Sequence, residues 1–235
     1  MGEVVWHDSL PSTMQEASRM ASAGAASGTV VAAREQTDGQ GRQGRQWLSH
    51  AGDGLYCTFI LRLDAKPADL PCVTLALGLA VVEAVSALTG LRLDIRWPND
   101  ILWETKKLCG ILARLEHGAV LAGIGVNLNQ LAFPEGLSTP AASLRMATGA
   151  SWEAETILES LRAPVESYVK LEREAVLRLF TQGSSYVSGR RVSVDSDGHM
   201  LYGVTDGLDE FGFLRIRKDD GKRETVLAGG VRPID

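Results

Sequence analysis

Four short stretches of the chain carry side chains able to handle anions: GQGRQGR at 39–45, RWPND at 96–100, KLCGIL at 107–112 and GIGVN at 123–127. In the first, Gly39, Gly41 and Gly44 let backbone N–H groups approach a charged ligand. Arg42 and Arg45 add planar, permanently charged donors suited to carboxylate or phosphate. The second ends in an amide and a carboxylate, Asn99 and Asp100, and Lys107 follows seven residues on. The fourth offers two glycines and an amide, Gly123, Gly125 and Asn127. Taken singly, each stretch also reads as something plainer: a solvated loop, a turn, a bulge.

The run from Gly39 to Gly44 fits G-x-G-x-x-G and invites a dinucleotide-binding reading, with Asp64 as the ribose acid. That fingerprint has to open a helix whose N-terminus takes the pyrophosphate. Here Arg45 to His50 leads straight to Gly52 and Gly54, which leaves no room for one. A P-loop fails as well, since no Gly-Lys-Ser/Thr follows.

The elements that must hold these stretches can be read from periodicity. Val4–His7 is a short strand. Ser12-Thr13-Met14-Gln15-Glu16 has the form of a capping box, and a helix to about Ala23 follows. Thr29–Ala33 is a strand, and 36–54 is a long glycine-rich loop. Leu55–Leu63 alternates as a strand. Leu70–Leu88 is long and apolar enough for a membrane span, but Glu83 inside it and its Ala and Gly content favour a core helix. Leu93–Trp97 is a strand stopped by Pro98. Lys107–Glu116 and Ala119–Val126 form a hairpin around His117-Gly118. Residues 151–182 are helical, with Pro164 as a kink or a boundary. From Arg190 the chain turns to short strands punctuated by Asp197-Gly198, Asp206-Gly207, Phe211-Gly212, Asp220-Gly221 and Gly229-Gly230. This is a small all-β module, expected to be barrel-like.

The 235 residues correspond to a main domain plus something small. A net charge of -5 gives no general attraction to nucleic acid or anionic lipid. Cys57, Cys72 and Cys109 lack Cys-x-x-Cys spacing and read as reduced, buried thiols. His7, His50, His117 and His199 form no ligand pattern. The N-terminus has neither a basic region nor an apolar core of the secretory kind. A cytoplasmic protein without structural zinc is the expectation.

In their order along the chain, Ser12-Thr13, Gln36 followed by GQGRQGRQW, RWPND, KLCGIL and GIGVN resemble the catalytic domain of biotin protein ligases, the biotin–[acetyl-CoA-carboxylase] ligases. The C-terminal module ending LAGGVRP is similar to that family's SH3-like domain. The resemblance implies an α+β fold: a mixed, mainly antiparallel sheet flanked by helices at 1–186, of the class II synthetase-like type, and a small SH3-like β-barrel at 187–235. It implies a ligase that makes biotinyl-5'-AMP from biotin and ATP and passes biotin to a lysine of a biotin carboxyl carrier protein. The form expected lacks the N-terminal DNA-binding domain of the repressor members and needs neither DNA nor membrane. A homodimer is an option the resemblance leaves open.

The resemblance also assigns roles. Lys107 and Arg42 are the catalytic pair. Biotin falls to Ser12, Thr13, Met14, Gln36, Gly39, Gln40, Gly41, Arg42, Lys107, Gly123 and Gly125. The nucleotide falls to Arg42, Arg45, Trp47, Asn99, Asp100, Lys107 and Asn127. Mg²⁺ is expected with ATP, and Asp100 is the candidate metal ligand. Two positions depart from the pattern: Gln40 stands where the family often has Arg, and Met14 where it often has Asn. The alternatives are a lipoate or octanoate ligase of the same superfamily and a non-catalytic biotin-binding regulator.

Overall fold

The computed structural model describes residues 2–196 and 199–234, so the expected Asp197-Gly198 turn lies outside the described residues. Seven strands form the main sheet: β1 (Val4–Leu10), β2 (Thr29–Gln36), β3 (Gly54–Leu61), β4 (Leu93–Arg96), β5 (Asp100–Trp103), β6 (Lys106–Glu116) and β7 (Ala119–Asn127). Their order is β1-β2-β3-β7-β6-β5-β4. Only β1 and β2 pair in parallel; every other neighbour is antiparallel. This is the mixed, mainly antiparallel sheet expected.

Both faces of the sheet are covered, and β3 shows how. All eight of its residues are buried. Leu55, Cys57, Phe59 and Leu61 point to one core, whereas Ile60 joins Met14, Ala17, Ala21 and Leu121 in a smaller one. The period of two sends alternate residues to opposite faces. Helix α1 (Thr13–Ser22) covers the smaller face; Ser12 is its N-cap, accepting from the Met14 amide at 3.2 Å. The expected box is not closed: Ser12 Oγ accepts from Met14, the second helical residue, and not from Gln15, the third.

Helix α2 (Leu70–Thr89) lies on the larger face, with Leu75, Leu77, Val81 and Val85 fully buried. It is the one helix among the described residues that is long and apolar enough to cross a membrane, and most of it is buried inside the fold. A short helix α3 (Leu144–Thr148) was not foreseen. The helical stretch then resolves into α4 (Ala154–Tyr168) and α5 (Arg173–Gly183). Pro164 sits inside α4 and does not end it. Leu161 and Val165, both buried, anchor the helix on either side of the proline, so packing offsets the lost backbone bond.

The hairpin between β6 and β7 turns where expected. His117 and Gly118 both take positive φ, 49° and 67°, the requirement of a type I′ turn. Strand β5 was missed, because four residues directly after Pro98 read as part of the turn.

The C-terminal sheet contains β8 (Ser188–Ser196), β9 (His199–Leu208), β10 (Leu214–Arg217), β11 (Arg223–Val226) and β12 (Gly230–Pro233). Its order is β11-β10-β9-β8-β12, antiparallel throughout. The expected barrel is not closed: β11 and β12 remain at opposite edges.

Candidate active site

The four stretches converge at one end of the main sheet. The glycine loop leaves β2 and returns to β3, with a backbone bond from the Trp47 amide to the Gly39 carbonyl (2.8 Å) closing its base. Gly39 lines neither of the two cavities at this end of the sheet. A β-carbon there would collide with the Trp47 carbonyl, so its part is to let the loop close. Asn99 and Asp100 stand at the β4–β5 turn, Lys107 at the start of β6, and Gly123, Gly125 and Asn127 along β7.

Two cavities adjoin here. The smaller is lined by Ser12, Thr13, Met14, Gln36, Gln40, Gly123 and Gly125, among others. The larger takes in Arg45, Asp100, Asn127, residues 132–134 and 137–139, and reaches the C-terminal sheet at Asp195 and residues 229–232. Gly41, Arg42, Trp47, Asn99 and Lys107 line both. Apart from Gly39, the two groups of residues separated by family resemblance line two neighbouring hollows, and Arg42 and Lys107, assigned to both substrates, stand on the shared wall.

Charge on that wall is held in place by direct pairing. The Lys107 ammonium is 2.6 Å from Asp100 Oδ1, and Arg96 donates to Asp100 Oδ2 at 2.5 Å and to Thr139 Oγ1 at 2.8 Å. Burial pushes the Asp100 carboxyl up, but Lys107 and Arg96 outweigh it and the net direction is down. Arg42 donates to Asn99 Oδ1 at 2.9 Å, while Asn99 Nδ2 donates to the Ile111 carbonyl at 3.0 Å. Burial pulls the Arg42 pKa down; Asp100 opposes this and Arg45 adds to it. A half-buried cation with one neutral partner is well placed to meet an anion.

Both Asp100 oxygens are therefore taken by cations, which does not suit a metal ligand. Among the described residues no group of three or more His, Cys, Asp or Glu side chains could hold a metal ion. Asn127 is committed to the scaffold, donating to the Ala142 and Lys107 carbonyls at 3.0 and 3.3 Å. Arg45 is exposed on the loop and reaches only Gln43 Oε1, at 3.3 Å.

The smaller cavity is polar at its Ser12 end. Gln36 Oε1 accepts from the Thr13 amide (2.8 Å) and Thr13 Oγ1 (3.1 Å), and Gln36 Nε2 donates to Ser49 Oγ (2.9 Å). Both lone pairs of that amide oxygen are thereby occupied. Thr58, which sequence reasoning did not single out, meets Thr13 at 2.9 Å. Gln40 Oε1, by contrast, is buried with no partner. So are Trp47 Nε1 and Gln130 Oε1, and all three residues line the two cavities. Buried polar atoms are seldom left unpaired in native proteins, so these point to a ligand that supplies partners.

Trp47 lies over the glycine wall. A β-carbon on Gly125 would be 2.6 Å from its indole, and one on Gly110 would be 2.7 Å from it. The Lys107 ammonium stands 5.2 Å from the ring centroid, within cation–π reach. Gly123 faces the tip of Met14 instead. Sequence reasoning also missed Arg96 and Trp97 as site residues, along with residues 132–139 and the C-terminal contribution. Residues 132–134 carry no charge or glycine pattern to mark them, and the Gly229-Gly230 pair reads from sequence as a turn.

Residues 6–130 match the model of the biotin/lipoate A/B protein ligase family, and 187–231 match that of the biotin protein ligase C-terminal domain. The bifunctional ligase/repressor BirA of Bacillus subtilis is 32% identical over 97% of this chain and 74% of its own. The biotin–[acetyl-CoA-carboxylase] ligase of Mycobacterium tuberculosis is 31% identical over 90% of this chain and 81% of its own. The biotin protein ligase of Aquifex aeolicus, solved in complex with biotin and ATP, superposes with a TM-score of 0.87 over the whole of both chains at 29% identity. The chain belongs to the biotin/lipoate A/B protein ligase family.

Proposed function

We propose that this protein joins biotin to ATP as biotinyl-5'-AMP and then transfers biotin to a lysine of a biotin carboxyl carrier protein. One observation supports this most: two adjoining cavities share a wall made of Gly41, Arg42, Trp47, Asn99 and Lys107. Such a reaction needs two anions, a carboxylate and a polyphosphate, brought into contact across a cationic boundary.

The chemistry asks for no protein nucleophile. The biotin carboxylate attacks the α-phosphorus and pyrophosphate leaves, so catalysis consists of positioning and charge neutralisation. In this reading the smaller cavity takes biotin. The Ser12 hydroxyl keeps its proton available for the ureido carbonyl while its oxygen caps α1. The open acceptor at Gln40 Oε1 suits a ureido N–H. The larger cavity takes ATP. Lys107 lies where the carboxylate and the α-phosphate meet, and Arg42 bridges to the acyl phosphate once formed. Arg45, on the open side of the loop, faces the pyrophosphate. Asp100 and Arg96 hold Lys107 in line. Asn127 shapes the nucleotide side through the backbone it ties together.

Mg²⁺ belongs to this reading as part of the Mg–ATP substrate, and no step is assigned to a metal held by the protein. Residues 1–186 would act as the catalytic unit, with 187–235 closing the nucleotide side. The cytoplasm is the proposed compartment. The direct test is biotin-dependent exchange between ATP and pyrophosphate, followed by labelling of a carrier domain. Calorimetric titration with biotin and with lipoate separates the biotin reading from the lipoate one.

A further inference from the structure

The C-terminal sheet reaches the site by two routes. Its β8 and β12 ends line the larger cavity at Asp195 and residues 229–232. The other route is a hydrogen bond. The indole Nε1 of Trp97 donates to the Gly212 carbonyl at 2.9 Å, in a buried setting. Trp97 is 3% exposed and lies inside the RWPND stretch, between Arg96, which grips Asp100, and Asn99, which holds Arg42.

The turn that presents this carbonyl is built to stay in place. Asp209 Oδ1 accepts from the Phe211 and Phe213 amides at 2.9 and 2.8 Å, and the Asp209 amide donates to the Phe213 carbonyl at 2.8 Å. Gly212 has φ +92°, open to glycine and strained for other residues. A β-carbon there would lie 3.0 Å from Leu75 of α2, so the turn sits directly on the catalytic core. The Arg173 guanidinium stands 5.4 Å from the Phe211 ring and 2.6 Å from Asp69. The chain entering the C-terminal sheet is tied to β4 as well: Ser184 Oγ donates to the Ile95 carbonyl at 2.5 Å, and the Ser185 amide to Asp94 Oδ1 at 3.0 Å. Strand β4 and the loop after it are thus gripped from both sides.

We propose that Trp97 is a positioning residue: its bond to Gly212 fixes the 96–100 loop against the C-terminal sheet and so sets chiefly the nucleotide side of the site, reaching the biotin side only through Asn99 and the Asp100–Lys107 pair on the shared wall. The asymmetry follows from the lining. All five residues of the 96–100 loop line the larger cavity, as does the C-terminal sheet, whereas of that loop only Asn99 lines the smaller. This inference rests on the larger cavity being the ATP site.

The test measures biotin-dependent ATP–pyrophosphate exchange on the full chain for wild type, Trp97→Phe, Asp209→Ala and the double variant. Phenylalanine keeps most of the ring's packing and removes only the donor. Asp209→Ala loosens the same turn from outside the catalytic motifs. Each single variant is expected to raise KM for ATP about tenfold, the scale of one buried hydrogen bond lost, with a clearly smaller rise in KM for biotin. The double variant is expected to be no worse than the worse single one, because both cut the same link. KM for biotin rising as much as KM for ATP, neither rising, kcat falling alone, or a double variant showing the product of the two single effects would each overturn the proposal. An inactive wild type would instead overturn the ligase reading, and this inference with it.

Discussion

The Lys107 ammonium sits 2.6 Å from a carboxylate, Asp100, whose other oxygen is held by Arg96. A lysine in this setting is fixed in direction before any substrate arrives. Lys107→Ala is expected to reduce pyrophosphate exchange by at least about a hundredfold, the scale of one donor to developing charge. Near-wild-type exchange would remove the residue from the reaction.

Asp100→Asn should release Lys107 and leave Arg96 partly unpaired. Breaking a largely buried ion pair from one side is expected to cost about 2–4 kcal/mol, read by urea unfolding. The pH dependence follows from the direction of the shift. The folded carboxyl titrates below its ordinary value, so its contribution is complete above the unfolded pKa of about 4 and is lost as pH falls through the folded one. The gap between wild type and variant should therefore be equal at pH 7 and pH 5 and shrink below pH 4. A gap that shrinks between pH 7 and pH 5 would contradict the pairing.

The two glycines of β7 should respond differently to the same change. Gly125→Ala places a β-carbon against the rigid Trp47 indole, whereas Gly123→Ala meets only the flexible end of Met14. Biotin affinity and tryptophan fluorescence are expected to change strongly in the first variant and little in the second. Equal effects would mean that Trp47 does not rest on this wall.

Gln40→Leu is expected to weaken biotin binding about tenfold by calorimetry while leaving KM for ATP unchanged, because its buried carbonyl has no protein partner. Unchanged affinity would return the ureido contact to backbone groups.

The sequence reading and the structure agree best where a pattern has one physical meaning. The alternation of Leu55, Cys57, Phe59 and Leu61 allows only a strand, and the His117-Gly118 pair only a tight turn. The site stretches were legible only through their resemblance, in order, to a known family, since each taken singly also reads as a loop, a turn or a bulge. What stayed hidden depends on long-range pairing. Nothing local shows that Asp100 faces two cations instead of a metal, that the Gln36 oxygen is consumed by Thr13, or that Asn127 serves the backbone. The open edges of the C-terminal sheet were equally invisible, since closure is a pairing between strands distant in the sequence.

Arg42→Gly should leave the adenylate less firmly held, because Arg42 is the loop cation tied to Asn99 on the shared wall. Faster release of biotinyl-5'-AMP, followed by filter binding, is expected. Unchanged release would take Arg42 out of that role.

The central claim is that the shared wall joins a biotin site to an ATP site. It is tested most directly by incubating the protein with ATP, Mg²⁺, biotin and a biotin carboxyl carrier domain, then measuring the mass of the carrier. The expected result is a gain of one biotinyl group on a single lysine, dependent on ATP and lost in Lys107→Ala. A carrier left unmodified by a folded, biotin-saturated protein would contradict the claim.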